Sequence, residues 1–255
     1  EFGVAGAAIA TIIGQMTACL LAIILFRKTS RIKVSLKNFK PNAQIIKNIY
    51  SIAIPSGVMT SLPSILVALL NSLLATVSQT AIAFFGIYFK LQSFIYMPAN
   101  GLIQGMRPLI SYNYGARHFD RVKKIIKVSI ISTAVILCCG TIIFMGLPEL
   151  VLSWFNATEQ LLEIGIIGLR VISPCFILST MGVVISGVFE SLGKGRQSLT
   201  ISLLRQFIIT LPLAYILLKV IGLNGIWLSF VIAEGIASVI AVILIKKELH
   251  NFKVD

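Results

Sequence analysis

Acidic side chains are almost missing from this sequence: Asp and Glu together number 9 in 255 residues, and charged residues of all kinds make up only 12%. A soluble domain carries roughly 25%, and so few charges could not cover a surface that faces water. Histidine occurs only as His118 and His250. The four cysteines, Cys19, Cys138, Cys139 and Cys175, fall inside apolar runs, without metal-ligand or disulfide-framework spacing. They read as small apolar fillers. There is no Gly-x-Ser-x-Gly elbow, no phosphate-cradling loop and no convincing nucleophile or carboxylate pair. These absences set aside soluble enzymes and metal enzymes. No catalytic residue, metal ligand or tightly bound cofactor is expected.

What the chain has instead is apolar length. Hydrophobic residues make up 57% of it, and the mean hydropathy is +0.95. The 22 Lys plus Arg give a net charge of +13, which could suggest nucleic acid. A basic nucleic-acid face is built on a soluble scaffold, however, whereas here the basic residues sit between long uncharged stretches. Seven such stretches, at 3–26, 50–76, 80–106, 125–147, 160–190, 198–218 and 223–245, are long enough for a ~30 Å hydrocarbon core. The fold class expected is an all-α membrane protein, a bundle of about seven transmembrane helices.

Charge then orients the bundle. Residues 27–49, 107–127, 194–205 and the tail after 245 hold 19 of the 22 basic residues, while the alternate connections carry only Lys219. By the positive-inside rule the N-terminus lies outside and the C-terminus in the cytoplasm. Proline recurs in or near the spans at Pro55, Pro63, Pro98, Pro174 and Pro212, where membrane helices tolerate breaks and kinks. Gly101-x-x-x-Gly105 predicts the close approach of a neighbouring helix.

The first and last spans resemble one another. Laid over each other at an offset of 219, residues 3–28 and 222–247 share eight identities in 26 positions, among them a Gly-x-x-Gly start and a lysine near the exit. The chain opens on Glu1, and its first apolar stretch is followed, not preceded, by Arg27 and Lys28, so that stretch is no signal peptide. The expected organisation is a fragment. Residues 1–49 would be the last helix of a missing N-terminal lobe plus a basic cytoplasmic linker, and residues 50–255 a six-helix C-terminal lobe.

Specific residues carry a family likeness. Met97-Pro98-Ala99-Asn100-Gly101 through Ser111-Tyr112-Asn113-Tyr114-Gly115-Ala116 resembles the end of the eighth helix of multidrug and toxic compound extrusion (MATE) transporters. Ile54-Pro55-Ser56-Gly57, Glu190-Ser191-Leu192-Gly193-Lys194-Gly195 and Gly222 to Glu234 are similar to further pieces of the same family in the same order. The resemblance implies one lobe of a twelve-helix exporter in a bacterial plasma membrane. It further implies export of amphipathic, often cationic, small molecules in exchange for Na+ or H+. Members with a cation site in this lobe usually place a carboxylate in the seventh helix, and residues 50–76 contain none.

Three charges lie well inside spans: Lys90, Arg170 and Glu234. Each sits about ten residues, or ~15 Å, from the outer end of its helix. An isolated charge at that depth costs ~2.5–3.5 kcal/mol on insertion scales, so Glu234 is expected to pair with Lys90 or Arg170 around a central cavity. Such a pair could equally serve only to fix helix register. On the third span Tyr88, Gln92, Tyr96 and Asn100 recur every four residues and drift around one face. They are a candidate lining for flat cations or, alternatively, polar contacts between helices. Asn71 is a similar candidate on the second span. Glu190 is expected to pair with Lys194 or Arg196 at the cytoplasmic surface.

Two rivals share the helix count or the fold. A seven-helix receptor would match the number of spans, but a retinal protein would need a lysine in residues 225–245, and there is none. A flippase for lipid-linked oligosaccharides would be expected to have a more cationic cavity. Membrane lipid and the missing lobe are the other expected partners, and no nucleic acid is expected.

Overall fold

The computed structural model describes residues 3–29, 41–155 and 157–251, and every regular element among them is helical. The elements are α1 (Gly3–Thr29), α2 (Ala43–Leu74), α3 (Gln79–Gly115), α4 (Phe119–Gly146), α5 (Pro148–Ser153), α6 (Glu159–Ile172), α7 (Pro174–Ser191), α8 (Gly195–Leu203), a π-helical turn (Leu204–Ile208), α9 (Thr210–Ile221) and α10 (Leu223–Asn251). Seven of the described segments are long and apolar enough to cross a bilayer, as expected: α1, α2, α3, α4, α7, the α8–α9 rod and α10. The chain divides into two compact units, residues 1–46 and 47–255. The basic stretch 30–40 lies outside the described residues.

The fifth expected crossing, 160–190, is not one helix. Pro174 opens α7 and has no N–H to continue the ladder of α6. Side chains brace the break: the Ser173 hydroxyl donates to the Leu169 carbonyl, and Thr141 of α4 donates to the Ser173 carbonyl at 3.1 Å. The expected span 198–218 is interrupted as well, by the π turn between α8 and α9.

Several of the family-like pieces are helix ends with a physical reason. After α7, Gly193 takes φ +72°, its N–H donates to Glu190 O at 3.0 Å, and the Lys194 N–H donates to Phe189 O at 2.8 Å. This is a Schellman cap, which needs a left-handed residue at the position of Gly193. After α3 the same two bonds run from Arg117 to Tyr114 O and from His118 to Asn113 O, with Arg117 at φ 58° in glycine's usual place. Gly222 takes φ +75° between α9 and α10, and a Cβ on Gly225 would lie 2.2 Å from the Leu217 carbonyl oxygen. The Gly222-x-x-Gly225 pair is therefore the signature of a tight α9–α10 corner.

Lipid tails are as apolar as leucine, so close packing rather than burial from water holds the lobe together. The helices approach through glycines, though not the expected ones. A Cβ on Gly101 or Gly105 would meet nothing within 4 Å, whereas one on Gly140, Gly168 or Gly187 would come within 2.5–2.6 Å of Ile95, Phe84 or Ile103. Two apolar cores are stacked along the helices. One gathers Phe84, Phe85, Tyr88, Phe176 and Trp227, and the other Ile103, Ile110, Val184, Phe189 and Ile245.

Candidate functional site

Beside the first core lies a cavity of about 480 Å³, within the size range of small-molecule sites. Gln92, Tyr96 and Asn100 line it from α3, Pro63 and Leu66 from α2, Arg205 and Gln206 from the π turn, and Phe230 and Glu234 from α10. At its centre Arg205 Nε and Nη2 both donate to Glu234 Oε1, at 3.0 and 2.7 Å. The two side chains are only 13% and 12% exposed, so this charge-assisted pair sits in a medium where it is strong and where neither charge is stable alone.

The π turn is what brings Arg205 there. The Ile209 N–H reaches back five residues to Leu204 O at 3.1 Å, and the Thr210 hydroxyl donates to the Arg205 carbonyl that this register leaves without its usual donor. Pro212 adds a second defect, since it has no N–H for the Ile208 carbonyl. The extra residue in the turn re-aims the side chains after it, the usual use of a π bulge.

The pair leaves one acceptor over. Glu234 Oε2 is buried and has no hydrogen-bond partner, and the same holds for Gln206 Oε1 beside it. Tyr96 is fixed by a 2.6 Å hydrogen bond between its hydroxyl and Ser179, and Gln92 donates to the Tyr88 hydroxyl at 3.0 Å. The arrangement offers a spare carboxylate oxygen, amide groups and aromatic faces, a set able to receive a proton, a small cation or a flat cationic molecule. No group of three or more His, Cys, Asp or Glu able to hold a metal occurs among the described residues.

The structure gathers four of the eight expected residues, Gln92, Tyr96, Asn100 and Glu234, on this cavity. Tyr88 is instead fully buried in the aromatic core, stacked with Phe176 and 3.8 Å from the Cys175 sulfur. Asn71 is half-buried outside the lining, with its Oδ1 unpartnered. The expected partners of Glu234 are corrected: Lys90 and Arg170 are both exposed, and neither reaches an acid among the described residues. Lys90 stands two residues from Tyr88 and Gln92, which places it about half a turn from their face. Arg170 stands off the buried Gly165–Leu169–Ile172 face of α6.

Arg205, assigned by its sequence position to a basic connection, is the true partner. The signal that could have found it was a lone arginine inside the apolar run Leu203-Leu204-Arg205-Gln206-Phe207-Ile208. Glu190 is also re-paired, with Arg107 of α3 at 2.7 Å and with the Ser198 hydroxyl at 3.2 Å, while Lys194 bonds Glu248 at 2.6 Å. These contacts tie α3, α7, α8 and α10 together at one end of the lobe.

Comparison with known proteins gives consistent findings. The MatE family model matches residues 55–216. The multidrug export protein MepA of Staphylococcus aureus is 31% identical over 256 residues, covering 100% of this chain and 56% of MepA. MepA of Staphylococcus haemolyticus is 32% identical over 254 residues, covering 99% of this chain and 56% of the relative. The chain thus spans little more than half the length of these relatives. Among solved structures, an outward-facing multidrug resistance MATE family transporter superposes with TM-score 0.90 at 22% identity, covering 100% of this chain and 58% of that one. A MOP superfamily transporter from Pyrococcus furiosus gives 0.90 at 23% identity, covering 99% and 58%. At these identities the structures speak for the fold alone.

Proposed function

This chain belongs to the MatE family, and on that premise we propose that it forms the C-terminal lobe, with one preceding helix, of a secondary active exporter of amphipathic, often cationic, compounds. The relatives named as multidrug export proteins support this reading. The membrane is a bacterial inner membrane, the N-terminus of the chain lies outside and the C-terminus in the cytoplasm. The supporting pattern is the concentration of Lys and Arg on alternate connections. A second lobe completes the path, and the exchanged ion is Na+ or H+.

The observation that carries the proposal is the buried Glu234 carboxylate, which gives one oxygen to Arg205, leaves the other without a hydrogen-bond partner, and lines a cavity with Tyr96, Gln92 and Asn100. Exchange requires a group that the ion and the cargo cannot both occupy. Arg205 already neutralises Glu234, so a second positive charge on the carboxylate must compete with the first. A proton or Na+ on Glu234 loosens Arg205, and a cationic cargo in the cavity gains most when the carboxylate is charged. Rocking between two access states then couples the flows.

The test uses full-length protein reconstituted in proteoliposomes with an imposed Na+ or proton gradient. Transport of a cationic dye driven by one of the two gradients, without translocation of a lipid-linked oligosaccharide, is the expected result. Translocation of the oligosaccharide without dye transport would transfer the assignment to a flippase of the same fold. Residues 1–255 alone are expected to move neither.

A further inference from the structure

A second cavity, of about 490 Å³, opens between α3 and α4. Leu102, Gly105 and Leu109 line it from α3, and Lys124, Val128 and Ser132 from α4. It is separate from the site above: on a helix of 3.6 residues per turn, Leu102, Gly105 and Leu109 fall roughly half a turn around α3 from Gln92, Tyr96 and Asn100.

The walls and the mouth differ in chemistry. Leu109 and Val128 are both more than half exposed, so the cleft is open along its side and lined mostly by carbon. At its mouth stands Lys124, and one turn earlier on the same stripe of α4 stands Arg121, both exposed. Asp120, the one acid in the first turn of α4, is exposed and lies 3.5 Å from Lys123. Lys124 and Arg121 have no acid partner among the described residues. From Lys124 to Ser132 the cleft runs about 12 Å along α4 at 1.5 Å per residue, close to the ~15 Å depth of one leaflet's hydrocarbon.

We propose that this cleft binds one anionic glycerophospholipid, with an acyl chain along Leu102, Gly105 and Val128 and the phosphate against Lys124 and Arg121. Charge complementarity selects this occupant: a basic mouth over apolar walls one leaflet deep matches an acidic headgroup over a tail. The bound lipid is not cargo. It sits on the far side of α3 from the transport cavity and braces the α3–α4 pair at the membrane surface.

The proposal is tested by native mass spectrometry of the full-length protein with phosphatidylglycerol or phosphatidylcholine. One phosphatidylglycerol is expected to survive activation that strips phosphatidylcholine, a preference on the order of tenfold. Arg121→Gln with Lys124→Gln should abolish the preference, and Lys124→Arg should keep it. Gly105→Leu fills the cleft without touching the charges, and the space beyond Gly105 is empty to 4 Å, so it should release the lipid while melting, once delipidated, at the same temperature as the delipidated wild type. Equal retention of the two lipids by the wild type would overturn the proposal. So would full phosphatidylglycerol retention by Gly105→Leu, because diffuse attraction to a basic surface would then suffice.

Discussion

At the scale of single residues the account turns on Arg205 and Glu234, whose side chains are 13% and 12% exposed and 2.7 Å apart. Removing either partner of a buried pair costs about 3–5 kcal/mol, because it strands the other charge, while replacing both with apolar groups of similar volume is often neutral. Arg205→Ala and Glu234→Ala should each lower the melting temperature of the purified protein sharply. Arg205→Met combined with Glu234→Met should restore it without restoring transport. A double variant that regains stability and transports at the wild-type rate would reduce the pair to scaffolding. Glu234 was legible in the sequence because it is the one acid near the middle of a long apolar run. Its partner was not, since Lys90 and Arg170 look more buried by position than Arg205 does. Sequence position reports depth along a helix. Which face meets a neighbour is decided by packing.

At the scale of elements, the caps and breaks explain much of the family likeness, and the π turn explains the site. The spans could be placed from hydropathy, but the π turn could not, because its extra residue changes register without changing composition. The break between α6 and α7 was foreshadowed by Pro174, while Gly101-x-x-x-Gly105 pointed to a helix contact that Gly140, Gly168 and Gly187 provide instead. Deleting Leu204 removes the extra residue and should turn Arg205 by about 100° around the helix, away from Glu234. The shortened protein should still insert and purify, with dye transport lost. Its Arg205–Glu234 coupling in a double-mutant cycle should fall to near zero. Persistence of the coupling would mean that the π turn does not set the pair.

At the scale of the whole molecule, the fold was the most legible feature: all-helical, with seven bilayer-length segments among the described residues, matching 58% of each structural neighbour at TM-score 0.90. Seven long apolar runs with few charges leave few other solutions. The cavity was less legible because the elements that line it, α2, α3, the π turn and α10, are far apart in sequence. The central claim is that the carboxylate of Glu234 is where ion and cargo exchange. It is tested most directly by gradient-driven cationic dye transport in proteoliposomes containing full-length Glu234→Gln, a variant that keeps the shape and a hydrogen-bonding side chain but carries no charge. The account predicts that dye binding and gradient coupling both fall by on the order of tenfold or more, the loss expected from removing a buried charge contact. Coupled transport at the wild-type rate would contradict it.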